Sequence, residues 1–472
     1  MNIPRILISA AHKSSGKTTV SIGLCAALKK RGLSVQPYKK GPDFIDPMWL
    51  GQASGRSCRN LDFYLMPRNE IRSMFAQHST NADISVVEGN KGLYDGLDLD
   101  GSNSNAALAE LLKLPVVLVI DARGMTRGIA PLILGYQAFD KNLQIAGVIL
   151  NNLGGTRHES KLRAVIEHYT DVPVLGAIQH DPRLQIVERH LGLMPSNEAG
   201  AAAQKIAEIG ALVGAQVDLD RIIQIASDAP SLELPAASPA PSSLPQHKLR
   251  IALAHDRAFG FYYADDLEAL QTAGAELVPF DTLTANRLPD ADGLFIGGGF
   301  PEVFMTELEA NSALREDIRN AIEAGLPVYA ECGGLMYLAR SLSWQGRTCR
   351  MVGAIPGDVV MHGKPVGRGY VRLKETAAHP WPHPASNEIR GHEFHYSSLE
   401  NLDPAITYVY DVLRGHGIDG QRDGLVYKNV LACYAHLRSL NTYNWAERFV
   451  AFVRQVAKNR AQDAAPLVVQ NV

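Results

Sequence analysis

The sequence predicts an α/β protein built from two doubly wound domains. Three observations carry that prediction. Short apolar strands alternate with helical patterns on both sides of the chain's middle, the arrangement of parallel sheets covered on both faces. A Pro-, Ser- and Ala-rich stretch, "DAPSLELPAASPAPSSLPQH" (228–247), separates the two series and has neither helical nor strand periodicity, so it reads as a linker. A length of 472 residues is also long for one core. Domains are therefore placed at 1–227 and 248–460, with the linker at 228–247 and a flexible tail at 461–472.

In the first domain, strands are expected at 5–10, 34–38, 84–88, 115–121 and 144–151, with helices between them, among others at 18–31 and 105–113. The second restarts the rhythm with a strand at 250–254 and the helix "ADDLEALQTAG". Strands "ELVPF" and "GLFIGG", a helix around 311–323 and the strand "PVYAE" follow. From Met351 onward β-type segments and turns replace helices. No internal repeat links the halves.

Composition narrows the function. An apolar fraction of 46% with 20% charged residues is ordinary for a soluble globular protein. A net charge of -3 gives no electrostatic reason to expect nucleic acid or an anionic membrane. Five cysteines (Cys25, Cys58, Cys332, Cys349, Cys433) are few, odd in number and irregularly spaced. They argue against a disulfide framework or a zinc ribbon and fit a reducing cytosol. The chain enters its first strand with no signal-peptide pattern, and no apolar run approaches the ~20 residues of a membrane span. A cytoplasmic protein is expected.

The stretch "AHKSSGKTTV" (11–20) sits between a predicted strand and a predicted helix. That is the context in which backbone N–H groups and a helix N-terminus converge on phosphates, a lysine adds charge and a hydroxyl binds Mg²⁺. Gly16-Lys17-Thr18 supplies the end of the motif, while Ala11 stands where a strict pattern has glycine. Lys13 is either a second lysine aimed at phosphate or a solvated loop residue. Acids follow two other strands: "YKKGPDFIDP" holds Lys39, Asp43 and Asp46, and "VVEGNKGLYDG" holds Glu88 and Asp95. Ligands collect at the carboxyl ends of strands in open parallel sheets, so these carboxylates suit a Mg²⁺ beside a triphosphate. Taken singly, each is equally a helix cap or a turn acid.

The second chemical centre is "PVYAECGGLMYL", which runs strand, tight turn, helix. It has the form of a nucleophile elbow with Cys332 in place of serine, and the helix dipole favours the thiolate. Upstream, "FIGGGFPE" places Gly297, Gly298 and Gly299 at another strand end, where bare N–H groups suit an oxyanion. The thiol needs a base. His255, His362, His379, His383, His392, His395, His416 and His436 are all available, and spacing alone does not choose. His436 ends the apolar strand "NVLACYAHL" and so is presented from a rigid element.

Together with "RNLD", "GVILN", "ERHLGL", "GHEFHYS" and "GLVYKNVLACYAHL", these motifs span nearly the whole chain in one order. The sequence resembles the cobyrinate a,c-diamide synthase family. That resemblance implies a P-loop, dethiobiotin-synthetase-like ATPase domain followed by a flavodoxin-like, CobQ-type class I glutaminase domain. It implies that glutamine is hydrolysed at Cys332 with His436 as base, and that Gly298, Gly299 and Gly333 serve the oxyanion and the glutamine. Ser15, Gly16, Lys17, Thr18 and Thr19 would bind ATP; Thr18, Asp43, Asp46 and Glu88 would hold Mg²⁺. Lys39, Asp46 and Asp95 would lie near an acyl phosphate made on a peripheral acetate of an anionic tetrapyrrole, which ammonia converts to the amide. A homodimer fits by resemblance. Because Arg438 stands two residues after His436, where many class I glutaminases have an acid, a Cys–His dyad is expected.

Three departures bear on the substrate: "MWLGQ" with Leu50 after "IDP", Lys13 in the loop, and "RSLNTYNWAERF" after His436. They keep a sirohaem-type macrocycle level with a corrin. Two other classes compete: a P-loop partitioning or regulatory ATPase, for which Cys332 would be inert, and a tetrapyrrole-delivery protein without catalysis.

Overall fold

A computed structural model of the chain describes residues 3–189, 192–197, 200–233, 248–384 and 388–463. The chain divides into two compact units, Met1–Ser238 and Pro239–Val472.

Among its described residues, the first unit is built on a seven-stranded parallel sheet: β1 (Arg5–Ala10), β2 (Val35–Lys40), β3 (Arg59–Leu61), β4 (Ile84–Glu88), β5 (Val116–Asp121), β6 (Ile145–Leu153) and β7 (Val174–Gln179), in the order β3-β2-β4-β1-β5-β6-β7. Every residue of β1, β2 and β4 is buried, as expected of strands covered on both faces. The chain moves one way from β1 to β2 and β3, then crosses back from β4 to β5. The switch therefore falls at β1 and β4; α1 (Lys17–Lys30) starts after β1, and α2 (Ile45–Ser54) starts after β2, which pairs with β4. A short pair, β8 (Glu188–Arg189) and β9 (Gly192–Leu193), follows the sheet.

Part of the predicted linker belongs to this unit. Ala229 and Leu232 are buried, and the Arg5 guanidinium donates to the Pro230 carbonyl, so 228–233 is held by ordinary apolar and polar contacts. Residues 234–247 lie outside the described residues. Of the predicted tail, 461–463 complete the helix Trp445–Asp463, and 464–472 lie outside the described residues.

The second unit starts with a parallel set: β10 (Leu249–Ala254), β12 (Ala275–Phe280), β13 (Gly293–Ile296) and β15 (Val328–Glu331), while β11 (Phe259–Phe261) and β14 (Gly298–Gly299) form a separate pair. A side sheet contains β16 (Ala339–Trp344), β17 (Arg347–Arg350), β18 (Ile355–Met361) and β21 (Ser397–Glu400). The main sheet is completed by β19 (Gly367–Glu375), β20 (Ile389–His395), β22 (Thr407–Arg414), β23 (Arg422–Tyr427), β24 (Val430–Cys433) and β25 (His436–Leu437). It runs β12-β10-β13-β15-β24-β23-β22-β19-β20-β25, parallel as far as β24 and antiparallel beyond. The sequence expectation of a doubly wound sheet thus describes its first half; hairpins build the second. The two faces carry separate cores. Val328, Ala330 and Cys332 enter one, and Tyr329 enters the other with Trp381, Trp445 and Phe449, the period-2 alternation of a strand.

This topology joins residues far apart in sequence. β24 lies beside β15 with Cys433 in register with Glu331, and β25 starts three residues after Cys433. The antiparallel half therefore curls back, and His436 arrives beside the turn that follows β15.

Candidate active sites

Cys332 occupies that turn with φ 47° and ψ -100°, a conformation a non-glycine residue adopts only under constraint. The constraints are visible. Cys332 N–H donates to the Cys433 carbonyl at 2.7 Å, and Met336 N–H donates to the Cys332 carbonyl at 3.0 Å. Gly334 packs so tightly on β13 that a Cβ there would lie 2.1 Å from the Ile296 carbonyl oxygen. At Gly333 a Cβ would stand 2.9 Å from the Gly299 nitrogen, so these two backbones face each other directly. Gly298 leaves room for the base: its Cβ would come within 2.6 Å of His436 Cε1. Gly297, in contrast, has its N–H committed to the Tyr262 hydroxyl at 3.0 Å, which removes it from the expected oxyanion donors.

Of the eight candidate histidines, His436 is the one hydrogen-bonded to the Cys332 sulfur. Its Nδ1 faces Glu331 Oε2 at 3.2 Å. Burial opposes a charge on this ring, but the bonds to Cys332 and Glu331 outweigh it and push the imidazolium up to about 10. Glu331 is fixed in turn: its Oε1 accepts from the Tyr329 hydroxyl at 2.6 Å and from Leu437 N–H at 3.1 Å. The expected dyad is therefore backed by a carboxylate. That acid comes from the residue before Cys332, while Arg438, two residues after His436, pairs with Asp265 at 2.6 Å. Asp423 carries the connection into the base, its buried carboxylate accepting the N–H groups of Gly424, Tyr434 and Ala435 at 2.9, 3.0 and 2.9 Å. Elsewhere, His395 stacks on Tyr434, His379 bonds the Tyr410 hydroxyl and His362 bonds Ser398.

In the first unit the second centre gathers at the ends of β1, β2 and β4. Gly16 heads α1 in the left-handed region (φ 86°) and offers the first turn no side-chain cap, which leaves a helix N-terminus suited to an anion. A Cβ on Gly16 would lie 2.1 Å from Asn151 Nδ2, which donates to the Ser15 carbonyl at 2.9 Å and clamps the loop. Ser15 Oγ donates to the His12 carbonyl at 2.9 Å. Ala11 is not among the positive-φ residues, which are Ser14 (φ 67°) and Gly16 in this loop; the backbone makes no demand for glycine at position 11. Lys17 is buried at the start of α1. Burial, then repulsion from Lys39, hold its ammonium below its ordinary range against the pull of Glu88, Asp46 and Asp43. Thr19 is half-buried in the same turn and Lys13 is exposed.

Three of the four acids, Asp43, Asp46 and Glu88, converge on Lys39. Lys39 and Glu88 are register partners on adjacent strands, with Lys39 Nζ 2.9 Å from Glu88 Oε1 and 2.5 Å from Asp46 Oδ2. Thr18 Oγ1 donates to Glu88 Oε1 at 2.7 Å and approaches Asp46 Oδ2 at 3.4 Å. Burial works against the Lys39 charge, but Asp46, Glu88 and Asp43 raise its ammonium well above the ordinary value. Asp43 combines both sequence readings: it caps α2 by accepting Ile45 and Asp46 N–H at 2.8 and 3.1 Å, and its Oδ2 lies 3.9 Å from Lys39 Nζ. Burial and the neighbouring Asp46 carry its carboxyl up to about 7, against Lys39. Asp95 stands apart from these groups, exposed, accepting Gly92 N–H at 2.8 Å. The donor set is all oxygen, and among the described residues buried Glu88 Oε2 has no hydrogen-bond partner, so these residues fit a hard cation such as Mg²⁺.

Comparison with known proteins matches a family model to each unit. Residues 6–193 match the CobQ/CobB/MinD/ParA nucleotide binding domain, and residues 250–443 match the CobB/CobQ-like glutamine amidotransferase domain. The chain is 47% identical to cobyrinate a,c-diamide synthase of Magnetococcus marinus, covering 96% of this chain and 98% of that one. The chain belongs to the cobyrinate a,c-diamide synthase family. Other members of that family are 44% identical (Methanosarcina acetivorans, 93% of each chain) and 41% identical (Archaeoglobus fulgidus, 95% of this chain, 97% of that one).

Within this family frame, two of the three sequence departures have packing explanations. Leu50 is buried in α2, and Trp445, Ala446 and Phe449 of the segment after His436 are core residues of the second unit. Glu331, Asp423 and Asn151 were not singled out from sequence. For Glu331 the available signal was its place at the end of a buried strand, on the side-chain face opposite Cys332's neighbour Ala330. Among the described residues no helix is long and apolar enough to cross a membrane.

Proposed function

We propose that this chain hydrolyses glutamine at Cys332 and uses the ammonia, with ATP, to amidate peripheral acetates of an anionic tetrapyrrole, with a cobyrinate-type corrin as the macrocycle. The observation that carries the reading is the buried Cys332–His436–Glu331 constellation on one chain with the Gly16–Thr18 loop and its ring of carboxylates. A partitioning ATPase has no use for the first, and a delivery protein has no use for either.

In the glutaminase unit, His436 takes the Cys332 proton and the sulfur attacks the side-chain carbonyl of glutamine. Backbone N–H groups of Gly298, Gly299 and Gly333 face the developing oxyanion. The carbon–nitrogen bond breaks as His436 returns the proton to the leaving ammonia, and water then frees glutamate from the thioester. Glu331 keeps the ring oriented and supports its charge throughout.

In the other unit, Ser15, Gly16 and Thr19 cradle the triphosphate and Lys17 lies against its outer phosphates. Thr18, Asp46, Glu88 and Asp43 would hold Mg²⁺, which would supply charge neutralisation for a bound triphosphate. Lys39, anchored by Asp46 and Glu88, presents its ammonium where the transferred phosphoryl group meets the substrate carboxylate, with Asp95 at the rim. A carboxylate is a poor acyl donor, whereas in the acyl phosphate ammonia attacks the acyl carbon and phosphate leaves with the broken carbon–oxygen bond.

The corrin is favoured over a sirohaem-type ring because the relatives of high identity are cobyrinate a,c-diamide synthases and because Leu50 and the segment after His436 are core positions. Mass spectrometry after offering cobyrinate, sirohaem and sirohydrochlorin side by side tests this. Acetate-to-amide conversion on cobyrinate is expected; conversion confined to a sirohaem-type ring would overturn the corrin, and conversion of none would overturn the function.

A further inference from the structure

The Cys332 centre has a further buried imidazole against it. β20 pairs with β25 so that His392 stands directly across from His436. Their rings stack with centroids 4.9 Å apart and planes 22° apart. Gly391 allows this close strand approach, since a Cβ there would lie 2.8 Å from the His436 carbonyl oxygen. His392 is itself held: its Nδ1 shares a hydrogen bond with the Tyr263 hydroxyl at 3.2 Å. The Tyr263 ring carries the Arg438 guanidinium 4.9 Å from its centroid, and Asp265 binds that guanidinium from the other end. The base is thus confined by Glu331 at Nδ1, by Gly298 near Cε1 and by an aromatic ring on one face.

We propose that His392 is a positioning residue for His436, its stacked ring fixing the plane of the base and supporting the imidazolium that forms when Cys332 gives up its proton. This rests on the reading that Cys332 and His436 hydrolyse glutamine.

The groups facing the stacked pair are Cys332 at the elbow, Glu331 on β15, Tyr263 ahead of the helix Ala264–Thr272, and Arg438 beyond β25. Burial, then the charges of His436 and Arg438, hold His392 well below the ordinary histidine range, so it stays neutral when its neighbour is charged. A neutral aromatic face attracts a cation, while a second imidazolium would repel it. The hydrogen bond to Tyr263 and the strand pairing keep the ring from rotating away. An imidazole flat against the base leaves it one plane in which Nδ1 meets Glu331 while the other nitrogen meets the sulfur.

The test is glutamine turnover by the full-length protein across pH, with ammonia-driven amidation as the folding control. His392→Ala should lower glutaminase kcat about ten- to a hundredfold with glutamine KM held within about twofold, the split expected when positioning rather than binding is lost. The alkaline limb of its pH profile should move to lower pH by about half a unit or more, because the imidazolium has lost support. His392→Phe, which keeps a ring in the stack, should restore kcat to within about threefold of the wild type. Unchanged kcat and an unmoved limb in His392→Ala would overturn the proposal. So would a folded His392→Phe as impaired as the alanine variant, which also decides the case if His392→Ala fails to fold. If instead the wild type shows no glutamine turnover that Cys332→Ala removes, the reading of the site fails, and that result is distinct from failure of the proposal about His392.

Discussion

Around Cys332, geometry is imposed by backbone contact: a left-handed φ at the nucleophile, glycines at 298, 333 and 334 that leave no room for a Cβ, and a carboxylate whose two oxygens are both engaged. Around Lys39, geometry is imposed by charge: two lysines and three carboxylates balance one another, with Lys17, Lys39 and Glu88 buried and Asp43 and Asp46 half-buried, and among the described residues Glu88 Oε2 has no hydrogen-bond partner. The first centre is complete as a set of side chains, as suits a reaction whose nucleophile, base and oxyanion donors are all protein groups. The second is a set of balanced charges, as suits the proposed transfer, in which the protein mainly positions and neutralises charge.

Separating the two centres is the strongest way to break this contrast. Cys332→Ala should lower glutamine-dependent amidation by about four orders of magnitude or more while leaving ammonia-dependent amidation near the wild-type rate. Lys17→Ala should remove amidation from both nitrogen sources and leave basal glutamate release in place. Retained synthesis in Lys17→Ala would refute the role of the loop. A smaller but sharper effect is expected of Glu331→Gln: glutaminase kcat falls roughly 10²–10³-fold, since the base loses the acid that orients it. Because Glu331 raises His436, its loss must lower the imidazolium, and the alkaline limb of the pH profile should shift down. A limb that stays in place would mean the carboxylate does not support the base.

Two stability measurements rank below these. Gly334→Ala forces a Cβ against the Ile296 carbonyl and should destabilise the second unit by about 1–3 kcal/mol, read as a lower melting temperature with nucleotide binding intact. Lys39→Met removes the cation that pulls against the rise of the Asp43 carboxyl. Asp43 is already carried to about 7, against an ordinary 3.8, and without Lys39 the folded cluster binds protons more tightly than the unfolded chain. The melting-temperature deficit of Lys39→Met should therefore grow as pH rises from 5 to 8. A deficit that shrinks over that range would reverse the charge-balance account.

What was legible in the sequence follows the same division. Gly16-Lys17-Thr18 between a strand and a helix, the acids after two strands, and Cys332 before two glycines are local patterns, so residue type and spacing disclose them. Glu331 directly precedes Cys332, but adjacency in sequence does not disclose what its side chain meets. Strand alternation turns it onto the face opposite Ala330, and only the return of β25 brings His436 onto that face. His392 and Asp423 were similarly hidden, because antiparallel pairings after Met351 decide what they meet and those strands carry no local signal for partner or register. One end of the linker shows the same limit: "DAPSLE" looks like spacer, yet Ala229 and Leu232 are buried.

The most direct test is to supply glutamine labelled with ¹⁵N in its amide, together with ATP and cobyrinate, and to weigh the macrocycle product. The account predicts ¹⁵N in the new side-chain amides of the wild-type product, one ADP per amide, and no product from Cys332→Ala until ammonium is added. Amide formation by Cys332→Ala from glutamine alone, or labelled ammonia released by the wild type with ATP spent and no amide formed, would contradict it.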